Sequence, residues 1–372
     1  MGSIFTIFMV IILVLTGCGI SDPQSKQKGI PDTEERQKKQ HDEVVHTLTK
    51  ERNDDLFIAG WLSDEEVLYA KSSGESYLLV SFNIHTGEKK KIYQFKEPVI
   101  TAKVSPSGKY AIVHTGISEF EARISVFTLE DKEIVFEETF ESKEISYEWN
   151  EYDESKILLI AFADDWSYSS FIIDTSAKNV HKIALSDPFS IWHNDSTLLY
   201  LDSDPQKNGT AAPIIKYNYR TGKKEAVSSE RYSFLRGWKN VYMAAAPDEK
   251  LDDFTEIVFF NEEFEEISRF SIPFPAHMAG WPPPYIDMTK HQVFFFVEPK
   301  KVKNVETNSY RTDNRLIKRN IVTGIESVVI DNLPDGPVLC NPSGTYCITG
   351  YLYENIINVE EKKIYPFVEE KE

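Results

Sequence analysis

The sequence predicts an all-β protein, a β-propeller with seven four-stranded blades; six blades is the alternative. Two strand-and-turn markers recur together about every 45 residues, which is the size of one propeller blade. The chain of 372 residues contains 23 Phe and 18 Tyr, and aromatic residues favour strands. None of the repeats has the 3.6-residue apolar period of a helix.

The first marker is a strand, a short polar turn and a second, apolar strand. Four copies end their first strand on a tryptophan, for which we predict packing between blades rather than ligand binding. The turns of the seven copies begin 43 to 54 residues apart, at Trp61, Val104, Trp149, Trp192, Trp238, Ile286 and Cys340.

The second marker follows each first one and is again a strand, a turn and a strand. Three copies place Thr-Gly at the bend, at Thr86-Gly87, Thr221-Gly222 and Thr323-Gly324. Glycine there allows the positive φ that tight hairpin turns require. Two hairpins per repeat give the four strands of a blade.

The N-terminus predicts export and a lipid anchor. Residues 4–15 form an uncharged apolar run, too short to span a bilayer but typical of a signal peptide. Leu15-Thr16-Gly17-Cys18 resembles the lipobox of bacterial lipoproteins, which implies that Cys18 is lipidated and becomes the first mature residue. The protein would then lie at the outer face of the cell membrane, anchored through membrane lipid. An uncleaved anchor or a secretory signal is the alternative.

Three segments follow from this interpretation. Residues 1–17 are the signal peptide, residues 18–43 are the lipidated cysteine and a flexible polar tether, and residues 44–372 are the propeller. A propeller ring is often closed by a strand from one terminus that completes a blade formed by the other. We expect Val44–Leu48 to supply that strand and remove the open edge.

Two turns carry a resemblance to known propellers. Ser105-Pro106-Ser107-Gly108-Lys109 and Asn341-Pro342-Ser343-Gly344 resemble the turns of TolB-type and prolyl-oligopeptidase-type propellers, which implies the fold and no residue role. Lipobox, polar tether and tryptophan-rich repeats together resemble the YqgU-like family of Gram-positive lipoproteins, described as six-bladed propellers of unknown function.

Long connections on one face of the propeller are the candidate binding surface, because binding residues concentrate in loops held by a rigid scaffold. They mix acids and aromatic residues, which suits a glycan, a peptide or another envelope protein. Solvated loops without a specific ligand are the alternative. The candidate residues are Asp164, Asp165, Trp166, Tyr168, His277, Trp281 and Tyr285.

The sequence offers no motif for catalysis, and we expect no catalytic residue, metal or cofactor. Asp164-Asp165 and Asp252-Asp253 lack the spaced ligand pattern of a calcium loop. The eight histidines show no i, i+4 metal pair. A net charge of −18 repels a phosphate backbone, so we expect no nucleic acid partner.

Cys340 and Cys347 flank one turn and face each other if the turn joins two antiparallel strands. A disulfide between them is one interpretation, and two small core residues is the other.

The leading functional hypothesis is a non-enzymatic envelope lipoprotein whose propeller recognises a protein or a polysaccharide. One competing hypothesis is a hydrolase, lyase or lactonase active at the channel mouth, since propellers host many functions. A structural spacer is the third.

Overall fold

The computed structural model describes residues 44–52, 54–202, 211–273, 285–299 and 314–371. Within these residues the chain forms thirty β-strands and no helix. The described part of the chain therefore has no helix that could cross a lipid bilayer.

Twenty-eight strands form seven antiparallel sheets, the blades, and each blade consists of four consecutive strands. Blades 1 to 3 comprise β2 (Leu56–Trp61), β3 (Glu66–Ser73), β4 (Ser76–Asn83) and β5 (Lys89–Phe95); β6 (Val99–Val104), β7 (Tyr110–Ser118), β8 (Glu121–Thr128) and β9 (Ile134–Glu141); and β10 (Glu144–Trp149), β11 (Lys156–Phe162), β12 (Tyr168–Asp174) and β13 (Asn179–Ile183).

The other four blades repeat the same order. They comprise β14 (Ile191–Trp192), β15 (Thr197–Leu201), β16 (Ile214–Asn218) and β17 (Lys224–Ala226); β18 (Phe234–Trp238), β19 (Val241–Pro247), β20 (Phe254–Phe260) and β21 (Glu266–Pro273); β22 (Ile286–Met288), β23 (Val293–Pro299), β24 (Asn314–Asn320) and β25 (Glu326–Leu333); and β26 (Val338–Cys340), β27 (Tyr346–Thr349), β28 (Asn355–Asn358) and β29 (Lys363–Pro366).

The blades pack face to face in a closed ring. A layer of buried apolar side chains lies between each blade and the next, and blades 7 and 1 share such a layer as well. The second strand of each blade is therefore covered on both sides, which explains its unbroken apolar run. The outer strands, such as β5 and β13, are mostly exposed and polar. The predicted seven-blade fold is confirmed.

The tryptophans at the ends of the first strands lie between blades, as predicted. Nε1 of Trp61 donates to the carbonyl of Leu339 in blade 7 at 3.0 Å, and Nε1 of Trp192 donates to Glu148 in blade 3 at 3.1 Å. Trp149 is equally buried, but its Nε1 has no acceptor among the described residues.

The two termini close the ring in a different way from the one expected. Strand β1 (Leu48–Lys50) pairs in parallel with β30 (Val368–Glu370), and this closing strap is a separate two-stranded sheet. Leu48 is fully buried in the layer between blades 1 and 7. The expectation that residues 44–48 complete a blade is wrong, because blade 7 already takes all four strands from consecutive chain.

Antiparallel order places the connections on two opposite faces. The turn face carries the connections within each hairpin, that is, between the first and second and between the third and fourth strands. The loop face carries the connections between the second and third strands and between blades. Among the described residues, chain order assigns to the loop face 74–75, 96–98, 119–120, 142–143, 163–167, 184–190, 202, 211–213, 227–233, 248–253, 285, 334–337 and 350–354.

Neighbouring blades are bonded to one another across the turn face. The backbone N–H of Ser107 donates to Oε1 of Glu154 at 2.7 Å, and Nδ2 of Asn341 donates to the carbonyl of Asp64 at 2.9 Å. At Gly108, with φ of 75°, a Cβ would come within 2.4 Å of the Leu62 carbonyl. Many polar groups of this face are thus occupied by contacts between blades.

Candidate functional site

Exposed apolar side chains concentrate on the loop face. Thirteen large apolar residues are exposed in the described part of the chain, and eight of them lie in the loop-face connections or at the strand ends beside them. These eight are Ile100, Ile117, Phe120, Trp166, Phe189, Leu251, Tyr351 and Leu352. Single exposed apolar residues are normal, whereas several on one face mark a candidate interaction site.

Five of the eight belong to neighbouring connections of blades 2, 3 and 4, and we call them the apolar arc. The arc consists of Ile100, Ile117, Phe120, Trp166 and Phe189.

Two β-bulges expose the isoleucines of the arc. The ladder between β6 and β7 shifts register between Val99 and Thr101, so Ile100 has no partner. The ladder between β7 and β8 shifts between Gly116 and Ser118, which leaves Ile117 unpaired. Bulges redirect side chains and are frequent beside functional sites.

Phe120 lies beneath a lysine that a carboxylate holds in place. Nζ of Lys143 lies 5.3 Å from the centroid of the Phe120 ring and 2.6 Å from Oε1 of Glu119. The hydrogen bond to Glu119 raises the pKa of Lys143. The charge of Lys143 is therefore already neutralised by its neighbour.

Trp166 stands at the tip of the tight turn between β11 and β12. Its own N–H donates to the carbonyl of Ala163 at 3.0 Å, and the N–H of Ala163 donates to Ser167 at 2.8 Å. Asp165 accepts from the N–H of Ser167 at 3.0 Å, and the Ser167 hydrogen bonds lower the pKa of this carboxyl. The loop is thus fixed by its own hydrogen bonds.

The backbone at Trp166 is strained while its side chain remains largely in solvent. Its φ is 63°, a region that bulky residues rarely adopt, and 69% of the residue is exposed. The indole contacts Phe162 edge-on, with the ring centroids 6.1 Å apart. Folding gains little from the exposed indole of a tryptophan at this position.

Phe189 completes the arc on the connection from blade 3 to blade 4. It is 74% exposed, and its N–H donates to Oδ1 of Asp187 at 2.9 Å. The hydroxyl of Tyr168 donates to the carbonyl of Leu185 in the same connection at 3.1 Å. Tyr168 therefore helps to hold the connection that carries Phe189 in place.

The structure brings together part of the predicted set. Asp164, Asp165, Trp166 and Tyr168 lie within or beside the arc. Tyr285 lies elsewhere on the loop face and contacts Tyr351 edge-on, with the centroids 6.1 Å apart. His277, Trp281 and the predicted lipidation site Cys18 lie outside the described residues, as do the signal peptide and the tether.

Sequence reasoning missed four members of the arc. The sequence pattern did not predict either bulge, because Ile100 and Ile117 fit the pattern of ordinary strand residues. Phe120 lies in a two-residue connection that looks like a simple hairpin. Phe189 follows Asp187-Pro188, a turn signal that could have placed it in a connection.

The surface around the arc is strongly acidic. The connections and flanking strand ends at residues 96–98, 117–121, 141–144, 163–167 and 184–190 contain eight carboxylates and two lysines. Two cations contact them from neighbouring strands: Arg123, 2.9 Å from Oε1 of Glu97, and Lys224, whose Nζ donates to Oγ of Ser186 at 3.0 Å. Acidic groups around an apolar centre are complementary to a partner that is both apolar and basic.

The channel presents a different chemistry, which the sequence did not reveal. Nζ of Lys103 lies 2.8 Å from Oε2 of Glu148, and Arg236 is exposed beside Trp238. Asp287 accepts from the N–H of Cys340 at 2.7 Å, and burial raises the pKa of Asp287 to about 6.

A small cavity lies beside Glu148. It has a volume of about 10 Å³ and lies among residues of blades 3, 4 and 5, which is room for about one water molecule. His114 is buried, and burial lowers its pKa to about 4. In the part of the chain that the structure describes, no three His, Cys, Asp or Glu residues are grouped so that they could hold a metal ion.

Cys340 and Cys347 are directly opposite each other in the innermost ladder of blade 7. Their sulfur atoms are at bonding distance and their Cα atoms are 3.9 Å apart. The geometry is compatible with the disulfide, and its formation in the cell stays a prediction.

Comparisons with known proteins agree with the fold. A curated relative, the uncharacterized lipoprotein YqgU of Bacillus subtilis (strain 168), is 22% identical over 197 residues, which are 53% of each chain. The chain thus spans about half the length of the curated relative that it matches.

Two solved structures are similar in fold alone. The uncharacterized protein lmo1340 of Listeria monocytogenes EGD-e is 17% identical, with a TM-score of 0.78 over 88% of this chain and 98% of that one. The β-propeller domain of the Trilobed protease from Pyrococcus furiosus is 16% identical, with a TM-score of 0.51 over 76% of this chain and 87% of that one.

A family model matches residues 83–350, well over half of the chain. The family is described as a YqgU-like 6-bladed beta propeller domain. The matched segment runs from the end of β4 to just beyond β27 and contains blades 2 to 6 complete. The described residues of this chain form seven four-stranded sheets, one more than the family description. The chain belongs to the YqgU-like β-propeller family.

Proposed function

We propose that this protein is a lipid-anchored lipoprotein at the outer face of the cell membrane and that its loop face recognises an envelope protein or polysaccharide. The concentration of exposed apolar residues on the loop face carries the proposal. The turn face is occupied by hydrogen bonds between blades, whereas the loop face presents rigidly supported side chains to solvent.

The size of the arc supports a binding role. Its five exposed side chains present on the order of 500 Å², comparable to the largest apolar patch on a typical soluble protein. A standard interface buries about 800 Å² on each partner, with an apolar centre and a polar rim. The arc and its acidic border match that arrangement.

The catalytic alternative has one observation in its favour. Titratable groups converge in the channel, where Lys103, Glu148, Arg236 and Asp287 lie on inner strands, and perturbed pKa values often mark active sites. The cavity of about 10 Å³ beside Glu148 holds about one water molecule, and Lys103, Arg236 and Asp287 do not line it. We prefer recognition at the loop face because the exposed side chains of the arc are accessible to a partner.

A crosslinking experiment in intact cells tests recognition. The wild-type chain and a Phe189→Ser variant are crosslinked to cell-envelope components and purified. A matched control carries Val322→Ser and Ile325→Ser, since both residues are exposed in the β24–β25 hairpin turn of the turn face. We expect one component to be lost with Phe189→Ser and retained with the control. Loss in both variants, or in neither, would contradict a loop-face site.

The anchor is tested separately. The lipobox resemblance and the lipoprotein name of the Bacillus subtilis relative support lipidation at Cys18. We expect Cys18→Ser to abolish incorporation of labelled palmitate and to prevent removal of the signal peptide. Continued labelling of the variant would place the anchor elsewhere.

A further inference from the structure

We propose that the partner segment on the apolar arc is a basic, amphipathic stretch of protein, in which apolar residues alternate with lysine or arginine. This inference rests on the proposed function and specifies the chemistry of its partner.

The excess of carboxylates around the arc favours a cationic partner. The connections around the arc contain eight carboxylates and two lysines, and Lys143 is already paired with Glu119 at 2.6 Å. Two cations on neighbouring strands, Arg123 and Lys224, also contact these connections, which leaves an excess of negative charge. Asp164 is adjacent in sequence to Trp166 and adds to the field at Lys143. A partner with lysine or arginine between its apolar residues would meet carboxylates on both sides of the arc.

The same charge disfavours other occupants. A second copy of this chain, with a net charge of −18, would bring carboxylates against carboxylates. Anionic polymers and anionic lipid surfaces are repelled for the same reason. A neutral glycan is not repelled. It would, however, place hydroxyl groups against Ile100 and Ile117, and it would supply no cation to pair with the carboxylates.

Trp166 is positioned as the anchor of the interface. The hydrogen bonds of its turn hold it in a strained backbone conformation before any partner arrives, so little conformational entropy is lost on binding. Rigid, exposed tryptophans are frequent among the residues that dominate binding energy.

The test uses three probes and the full chain in phosphatidylcholine nanodiscs, with empty nanodiscs as the blank. The first probe is an acetylated octapeptide of alternating lysine and leucine. The second has glutamate in place of lysine, and the third is maltoheptaose. Binding is measured by titration at low salt and again at ten times that ionic strength.

We expect the lysine peptide to bind and the other two probes to show no binding at the same concentrations. Trp166→Asn should weaken binding about tenfold, and Asp164→Asn with Asp165→Asn should weaken it about threefold. Binding should weaken at the higher ionic strength. The Val322→Ser, Ile325→Ser control should change affinity less than twofold.

Asparagine tolerates positive φ, so Trp166→Asn is expected to fold; unchanged thermal unfolding verifies this. Phe189→Ser, at a position without that strain, is the second binding variant.

Four outcomes overturn the inference: no binding of the lysine peptide, equal binding of the glutamate peptide, preferential binding of maltoheptaose, or unchanged affinity in both Trp166→Asn and Phe189→Ser. If any of these occurs while the crosslinked component is still lost with Phe189→Ser, the partner chemistry is wrong and loop-face recognition stands. If crosslinking loses its dependence on Phe189 as well, both proposals fail.

Discussion

Replacing each tryptophan between the blades by phenylalanine should lower the melting temperature by different amounts at different sites. Trp61, Trp149 and Trp192 occupy equivalent places and are all buried. Replacement by phenylalanine removes similar packing at each. At Trp61 and Trp192 it also removes a hydrogen bond to a backbone carbonyl, whereas at Trp149 it removes an indole N–H that has no acceptor among the described residues.

The difference between the sites isolates the hydrogen bond. Losing the bond and leaving a buried carbonyl unpaired costs about 1 to 2 kcal/mol. With an unfolding entropy near 2.1 cal/mol/K per residue over about 330 residues, this difference corresponds to about 1.5 to 3 °C in melting temperature. We therefore expect Trp61→Phe and Trp192→Phe to melt that much below Trp149→Phe.

Differential scanning calorimetry of the full chain measures these temperatures under one set of conditions. Circular dichroism confirms that each variant keeps its strand content. If Trp149→Phe melts as low as the other two variants, the indole N–H of Trp149 is satisfied in solution and the reasoning from its unpaired state is refuted.

Four further predictions concern single sites. Leu48→Ala in the closing strap should lower the free energy of unfolding by about 2 to 5 kcal/mol, measured by urea denaturation; a loss below 1 kcal/mol would mean that the strap does not hold the ring. Peptide mapping without reductant should recover Cys340 and Cys347 in one linked peptide pair, and two alkylated thiols would contradict the disulfide. Asp287 has a folded-state pKa raised to about 6 by burial, so it binds its proton more tightly when folded, and its contribution to stability should fall as pH rises from about 4 to about 6; Asp287→Asn should flatten that slope, measured by unfolding at each pH. His193 behaves in the opposite sense, because burial lowers its pKa to about 4 and its contribution should be lost as pH falls from about 6.5 to about 4; His193→Asn should remove this loss in the same assay.

The propeller was predictable because its repeating unit leaves a local signal. The second strand of each blade lies between two neighbouring sheets, so runs such as residues 157–162 in β11 are apolar at every position. The short turns between the strands then keep the repeats regularly spaced along the chain. The closing strap left no such signal, because Leu48 and Val368 pair across almost the whole chain and each lies in a strand of three residues. A contact of this kind depends on the completed ring and not on either local pattern.

The candidate site was predictable only where it lies in a long connection. Asp164 to Tyr168 stood out as a polar loop with an aromatic residue, and the structure places them at the arc. Ile100 and Ile117 read as strand residues because their exposure arises from register shifts, which depend on the pairing of two strands and not on either sequence alone.

The two faces of the ring differ in how much their residues contribute to stability. On the turn face, Gly108 and Asn341 join one blade to the next, so substitutions there weaken the ring itself. On the loop face, Trp166 is strained and largely exposed, and the fold gains little from its indole. Replacing it with asparagine should therefore relieve strain and leave the melting temperature unchanged or higher, while binding weakens about tenfold. A residue whose removal harms binding without harming stability is one that the fold alone does not explain. This separation is the physical reason for placing recognition on the loop face.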